Sequence, residues 1–261
     1  MRVGLVQTMS IGDVIIALPI AKWFADRGAE VVWPVRDDYL TFLEPAAPYV
    51  RFVPVHGEGA AADIFVHRPK ALLAELRCDE VYVLYNAMLG DPRLIQHAEF
   101  ARHLKFDEHK YAVAGVPFGE KWRLDIVRDR RREERLFEAL GIRGPYVCVH
   151  SKSRDFAPRI MLPEAWRRDY QVVEIGERTD SPFDWIATLE RAEELLLIDS
   201  CFSNLVEQLN LPNAKTLILR SRVELTPVMK NGWRFYSPRA EREEPALRTA
   251  SVNRISLTTL K

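Results

Sequence analysis

The chain has 261 residues, 48% of them hydrophobic, which is enough for one large domain or two of roughly 100–150 residues each. Lys+Arg and Asp+Glu both number 37, so no global field draws the protein to nucleic acid or to an anionic membrane, and any anionic ligand has to be held locally. Three scattered cysteines (Cys78, Cys148, Cys201) exclude a disulfide framework and a structural zinc site, and neither a signal peptide nor an integral membrane segment is read, so a soluble cytoplasmic protein is expected.

Short β-type runs alternate with helical patterns from the start. Strands are predicted at Arg2–Gln7, Glu30–Val35, Val50–Val55, Asp63–Val66 and Glu80–Tyr85. Helices are predicted at Val14–Asp26, closed by Gly28, at Tyr39–Glu44, at Ala71–Leu76 and at Pro92–Leu104. Arg123–Gly144 is a dense mixed-sign block that reads as a solvated helix leading out of the first half. The pattern then restarts, with strands at Tyr146–His150, Gln171–Ile175, Leu195–Ile198 and Lys215–Leu219. Helices at Pro163–Arg168, Phe183–Arg191 and Ser203–Asn210 separate them. From Arg220 the periodicity fades into the charged run Ala240–Leu247, with Asn253–Leu257 able to add an edge strand. Strands separated by helices of this length predict an α/β fold with parallel sheets, in two units divided as residues 1–143 and 144–261.

Three turns carry the candidate chemistry. Ser10-Ile11-Gly12-Asp13 lies between the first strand and the first helix, where ligands of an open parallel sheet bind. Asp13, ionised at a helix N-terminus, is a candidate general base on a sugar hydroxyl; its plainer role is a helix cap. His150-Ser151-Lys152-Ser153-Arg154, with Arg159 following, gathers hydroxyls and cations at a strand end, as phosphate oxygens require, or is simply a polar loop. Asp199-Ser200-Cys201-Phe202-Ser203-Asn204 is a strand–turn–helix able to offer N–H groups to an anion, although Ser200 and Ser203 also suit ordinary caps. The turn at Gly12 is neither GxGxxG nor a P-loop, there is no GxSxG, and His56, His67, His97, His103 and His109 show no metal-ligand spacing, so no metal is expected. The six tryptophans read as core or interface packing.

Four blocks resemble the ADP-heptose:lipopolysaccharide heptosyltransferases in order and spacing: GDVIIALPIAKWFADRGAEVVWPV, YVCVHSKSRDFAPRIMLPEAW, VVEIGERTD and LLLIDSCFSNLVEQLNLP. The resemblance covers about a third of the chain. It implies a GT-B architecture, two Rossmann-like domains facing across a cleft, with the acceptor mainly on the first and a nucleoside-diphosphate sugar mainly on the second. It further implies Asp13 as base, diphosphate contacts at Ser151, Ser153, Arg159, Ser200 and Cys201, and Glu177 or a neighbour on the ribose, with no cofactor or metal required; Lys152, Arg154, Gly176, Asp199 and Asn204, in the same turns, complete the candidate donor set. The implied reaction is inverting transfer to a glycan, lipopolysaccharide or protein acceptor. Cys201 stands where the family has Gly and Asn204 where it has His. Those departures keep a non-catalytic sugar-nucleotide-binding protein or a scaffold as the alternative, and a sugar-nucleotide epimerase as a third reading.

Overall fold

A computed structural model of the protein describes residues 1–86, 92–153, 156–158, 160, 162–220 and 225–238. The first half contains β1 (Arg2–Val6), α1 (Ile11–Ala25), β2 (Glu30–Arg36), α2 (Leu40–Ala46), β3 (Val50–Val55), α3 (Arg68–Glu75), β4 (Glu80–Val83) and α4 (Phe106–Val113). Helix α5 (Arg130–Ala139) leads on to the second half, which contains β5 (Tyr146–His150), α6 (Glu164–Asp169), β6 (Gln171–Glu174), α7 (Ile186–Arg191), β7 (Glu194–Ile198), α8 (Cys201–Gln208), β8 (Ala214–Ile218) and β9 (Trp233–Tyr236). Two parallel sheets result, ordered β3-β2-β1-β4 and β6-β5-β7-β8-β9. Strand order reverses beside β1 in one sheet and beside β5 in the other, which sets the ligand crevice of each at the turns after those strands.

The junction between the halves is built by α1. Residues Val14–Ala21 are all buried, so this helix has no solvent stripe. One side covers the first sheet and another meets α8, and a single apolar cluster joins Ile15 and Leu18 to Phe183, Ile186 and Leu205 of the second half. Pro19 inside α1 has no N–H to give to the carbonyl four residues back. That carbonyl, on Ile15, instead accepts from Gln208 Nε2 of α8 at 3.2 Å, and the next one, on Ile16, accepts from the Tyr111 hydroxyl of α4 at 2.9 Å. The Leu-Pro of the sequence is thus a docking point for neighbouring helices.

Several sequence expectations need correction. Asp63–Val66 is a helical turn running into α3, not a strand: its β-branched and aromatic residues bury Ile64 and Val66, which a helical turn does as well as a strand. Pro92–Leu104 is not a helix, but holds two short turns at Pro92–Leu94 and Phe100–Arg102; the helix is α4, just beyond. The charged block is not simply solvated. Arg128 binds Glu133 and Glu190, Arg132 binds Asp184 at 2.8 Å, and Glu133 is buried, so these charges fasten α5 to the second half. Strand β9, absent from the sequence reading, extends the second sheet beside β8. The runs Ala240–Leu247 and Asn253–Leu257 lie outside the described residues.

Four tryptophans (Trp33, Trp166, Trp185, Trp233) are core residues, as expected. Trp122 donates to Glu207 Oε1 across the halves at 2.6 Å. No described helix is long and apolar enough to cross a membrane.

Candidate functional site

Both crevices open into one cleft of about 1390 Å³ between the sheets. Single small-molecule pockets run from about 300 to 1,000 Å³, so this cleft has room for two reactants side by side.

The first-half wall is the turn from β1 into α1. It is fixed on several sides: Thr8 and Met9 donate their N–H groups to the Tyr85 hydroxyl at 2.8 and 3.2 Å, and Trp33 Nε1 donates to the Gln7 carbonyl at 3.1 Å. Ser10 adopts a left-handed φ of 67° and is the N-cap residue of α1, without a side-chain cap bond. Asp13 stands three residues into the helix, so it is not the cap. Its Oδ1 instead meets Lys110 Nζ of α4 at 3.0 Å. Lys110 is buried and also donates to Gln7 Oε1 at 2.7 Å and to the Leu84 carbonyl at 3.3 Å, so its ammonium is held among protein groups behind Asp13. Asp13 Oδ2 has no hydrogen bond among the described residues and lies in a side chain 26% exposed on the cleft.

The opposite wall comes from the turns after β5, β6 and β7. Lys152, Ser153, Gly176, Glu177, Asp199, Ser200, Cys201 and Asn204 all line the cleft, as does His150. Ser151 does not, and Arg154 and Arg159 lie outside the described residues. His150 Nδ1 is 3.1 Å from Ser200 Oγ, with the ring edge-on to Phe202; burial pushes its pKa down to about 4, which leaves a neutral imidazole. The Ser200 N–H donates to Ser203 Oγ at 3.0 Å at the start of α8. Burial raises the Asp199 carboxyl to about 6, opposed by the charge of Arg220, and pushes the Cys201 thiol up to about 12, so it stays protonated. A Cβ on Gly176 would meet nothing within 4 Å, so that turn leaves the cleft open.

The two walls meet at Gly12. A Cβ there would stand 3.3 Å from the Cys201 backbone nitrogen and 3.3 Å from Asn204 Nδ2, so the N-termini of α1 and α8 approach closely at a residue without a side chain. Asn204, almost fully buried, is part of this junction.

The sequence reading missed Arg36, Arg178, Thr179, Asp180, Ser181 and Arg220, which also line the cleft, and Lys110 behind Asp13. Arg36 had a signal, since it ends β2 at the carboxyl edge of the sheet; Lys110, remote in sequence on an unrecognised helix, had none. Cations are distributed unevenly. On the first wall Arg36 is bound by Asp38, whereas on the second Lys152 and Arg178 have no ion-pair partner among the described residues. No group of three or more His, Cys, Asp or Glu among the described residues could hold a metal ion.

The fold is shared with solved glycosyltransferases. A glycosyl transferase family 9 protein from Veillonella parvula aligns over 90% of this chain and 86% of its own, at 12% identity and a TM-score of 0.62. Escherichia coli ADP-heptose lipopolysaccharide heptosyltransferase II aligns over 90% of both chains, at 13% identity and a TM-score of 0.56. The iron-containing dodecameric glycosyltransferase TibC of enterotoxigenic E. coli aligns over 88% of this chain but 61% of its own, at 16% identity and a TM-score of 0.54. No family model and no curated protein matches the sequence. The architecture is therefore the two-Rossmann, GT-B-like fold of the heptosyltransferase-like glycosyltransferases, as the four sequence blocks implied.

Proposed function

We propose that the protein is a glycosyltransferase that moves a sugar from a nucleoside-diphosphate donor to an acceptor hydroxyl with inversion. One observation carries this reading: Asp13 and the hydroxyl- and cation-bearing turns after β5 and β7 stand on opposite walls of a single cleft. The donor diphosphate is assigned to the second half, at the N-terminus of α8, with Ser153, Ser200 and Lys152 around it. Ser151, Arg154 and Arg159 keep their place in this assignment only through the family resemblance. Glu177, beside Gly176, is assigned to the ribose. The acceptor hydroxyl attacks the anomeric carbon from the first half and gives its proton to Asp13 Oδ2, while the diphosphate leaves on the far side with its charge stabilised by the second wall. Lys110, buried behind Asp13, holds the carboxylate by its other oxygen and does not touch substrate.

Cys201 brings a neutral thiol to the diphosphate turn and Asn204 a neutral amide, so neither supplies the charge of the family's His. They favour a second reading, a sugar-nucleotide-binding protein without turnover. Turnover by the wild type decides between the two, and Asp13→Asn tests the base. Transfer from ADP- or UDP-sugars, read by nucleoside diphosphate release, is expected to fall by at least about 10²-fold, the scale of general-base loss, with donor affinity by calorimetry unchanged. Turnover equal to the wild type would remove Asp13 from the reaction, and donor binding without turnover in the wild type would establish the second reading.

A further inference from the structure

We infer that the acceptor is an uncharged sugar or glycoside, laid by its C–H face on an aromatic wall around Asp13, and not a phosphorylated or carboxylated one; this rests on the glycosyltransferase reading. Four rings of the first half, Tyr39, Phe42, Phe65 and Phe106, line the cleft about the turn that carries Asp13. Tyr39 packs on Phe42 at 5.7 Å and against the same apolar cluster as Ile11 at the start of α1. Phe106 lies one turn before Lys110 on α4, with the ammonium 5.7 Å from its ring centre. Phe65 packs on Tyr85 at 5.9 Å, and Tyr85 in turn pins Thr8 and Met9. A pocket lined by rings with a few fixed polar groups suits a ligand with apolar faces and hydroxyl edges, which is what a sugar ring offers.

The charges of this wall disfavour an anion. Arg36 is held by Asp38 through Nε at 2.6 Å and through Nη2, with its guanidinium over the Tyr39 ring. Lys110, its side chain 3% exposed, pairs with Asp13 and donates to Gln7 and Leu84, so its ammonium does not face the cleft as a free cation. The accessible carboxylates of Asp13 and Asp38 therefore face the acceptor without a free cation beside them among the described residues. An acidic acceptor would have to strip Asp38 from Arg36 and lie against Asp13. Lys152 and Arg178, which have no ion-pair partner, are on the donor wall instead. The cleft thus separates an anion-binding side from a side for neutral hydroxyl compounds.

The test is saturation-transfer NMR on the full chain with a panel of methyl hexosides, hexose 6-phosphates and hexuronates. Saturating ADP or UDP, or inorganic pyrophosphate if neither nucleotide binds, keeps the donor side occupied. Methyl hexosides are expected to receive saturation and their charged counterparts at least fivefold less. Phe65→Ala and Phe106→Ala, made separately so that one folded variant suffices, should weaken the methyl hexoside signal. Asp38→Asn, a surface change that frees Arg36, should raise hexose 6-phosphate affinity about fivefold, the scale of one exposed ion pair. Charged sugars binding the wild type as well as neutral ones, neutral binding indifferent to both ring variants, or no neutral binding at all would overturn the inference. Calorimetry with ADP and UDP reads the donor side independently, so a failure there counts against the glycosyltransferase reading and leaves the neutral-against-charged comparison intact.

Discussion

At the scale of single residues, Asp199 is held against its own ionisation. Its carboxyl ionises at about 6 in the folded protein against 3.8 for the free side chain, because burial at the end of β7 outweighs the charge of Arg220. Between those values the folded chain binds more protons than the unfolded one. The protonated acid therefore contributes stability that is complete below about pH 4 and lost as pH rises through about 6. Asn reproduces the protonated form at every pH. Asp199→Asn is accordingly expected to melt with the wild type near pH 4 and above it at pH 7, in thermal unfolding followed by circular dichroism; a difference that does not change with pH would contradict the burial account. The cost at neutral pH is of the kind a binding site carries. Asp13 and Asp199 were both legible in the sequence, since each lies where a strand pattern gives way to a helical one. Lys110 was not legible, since nothing near it in sequence says that its ammonium reaches Asp13.

At the scale of elements, what positions the site is the meeting of α1 and α8 at their N-termini. Gly12 needs no unusual backbone angle there; it provides approach. Gly12→Ala adds one atom at 3.3 Å from the Cys201 nitrogen, and the ~1 kcal/mol gain in helix propensity offsets a small shift of α8. Gly12→Val adds two more carbons that must push the helices apart, and is expected to cost about 1–3 kcal/mol in denaturant unfolding, as overpacking does. A valine variant as stable as the wild type would mean that the junction is loose. The central strands of both sheets were readable because parallel strands there are near-continuous apolar runs, as in RVGLV and ELLLI. Helix α4 was hidden for the opposite reason. Its buried face carries Asp107, His109 and Lys110, whose burial is possible through partners distant in sequence, so no apolar period marks it. Strand β9 is four residues long, and two of them, Arg234 and Phe235, are exposed.

At the scale of the whole molecule, the two halves share a core and are also tied by a polar bridge that no sequence pattern announced. Asp107 and Lys121, both fully buried, pair at 2.7 Å in the first half. The Val228 N–H donates to Asp107 Oδ2 at 2.8 Å, and Lys121 Nζ donates to the Val228 carbonyl at 2.6 Å. The same returning segment gives the Lys230 N–H to Glu207 of α8, which also accepts from Trp122 of the first half and Trp233 of β9. Removing one member of a buried pair leaves its partner charged and unsolvated, at a cost of about 3–5 kcal/mol, so Lys121→Met is expected to lower Tm by about 10 °C for a chain of this size. The apolar α1–α8 contact survives that change, because Ile15, Leu18, Phe183 and Leu205 do not touch the pair's chemistry. Calorimetry should therefore still record one transition, with van't Hoff and calorimetric enthalpies equal. Adding Asp107→Leu to Lys121→Met removes the stranded carboxylate and should recover most of the loss. Two separate transitions, only one of them displaced, would mean that the halves fold independently and that the cleft between them is held by less than the shared core described above.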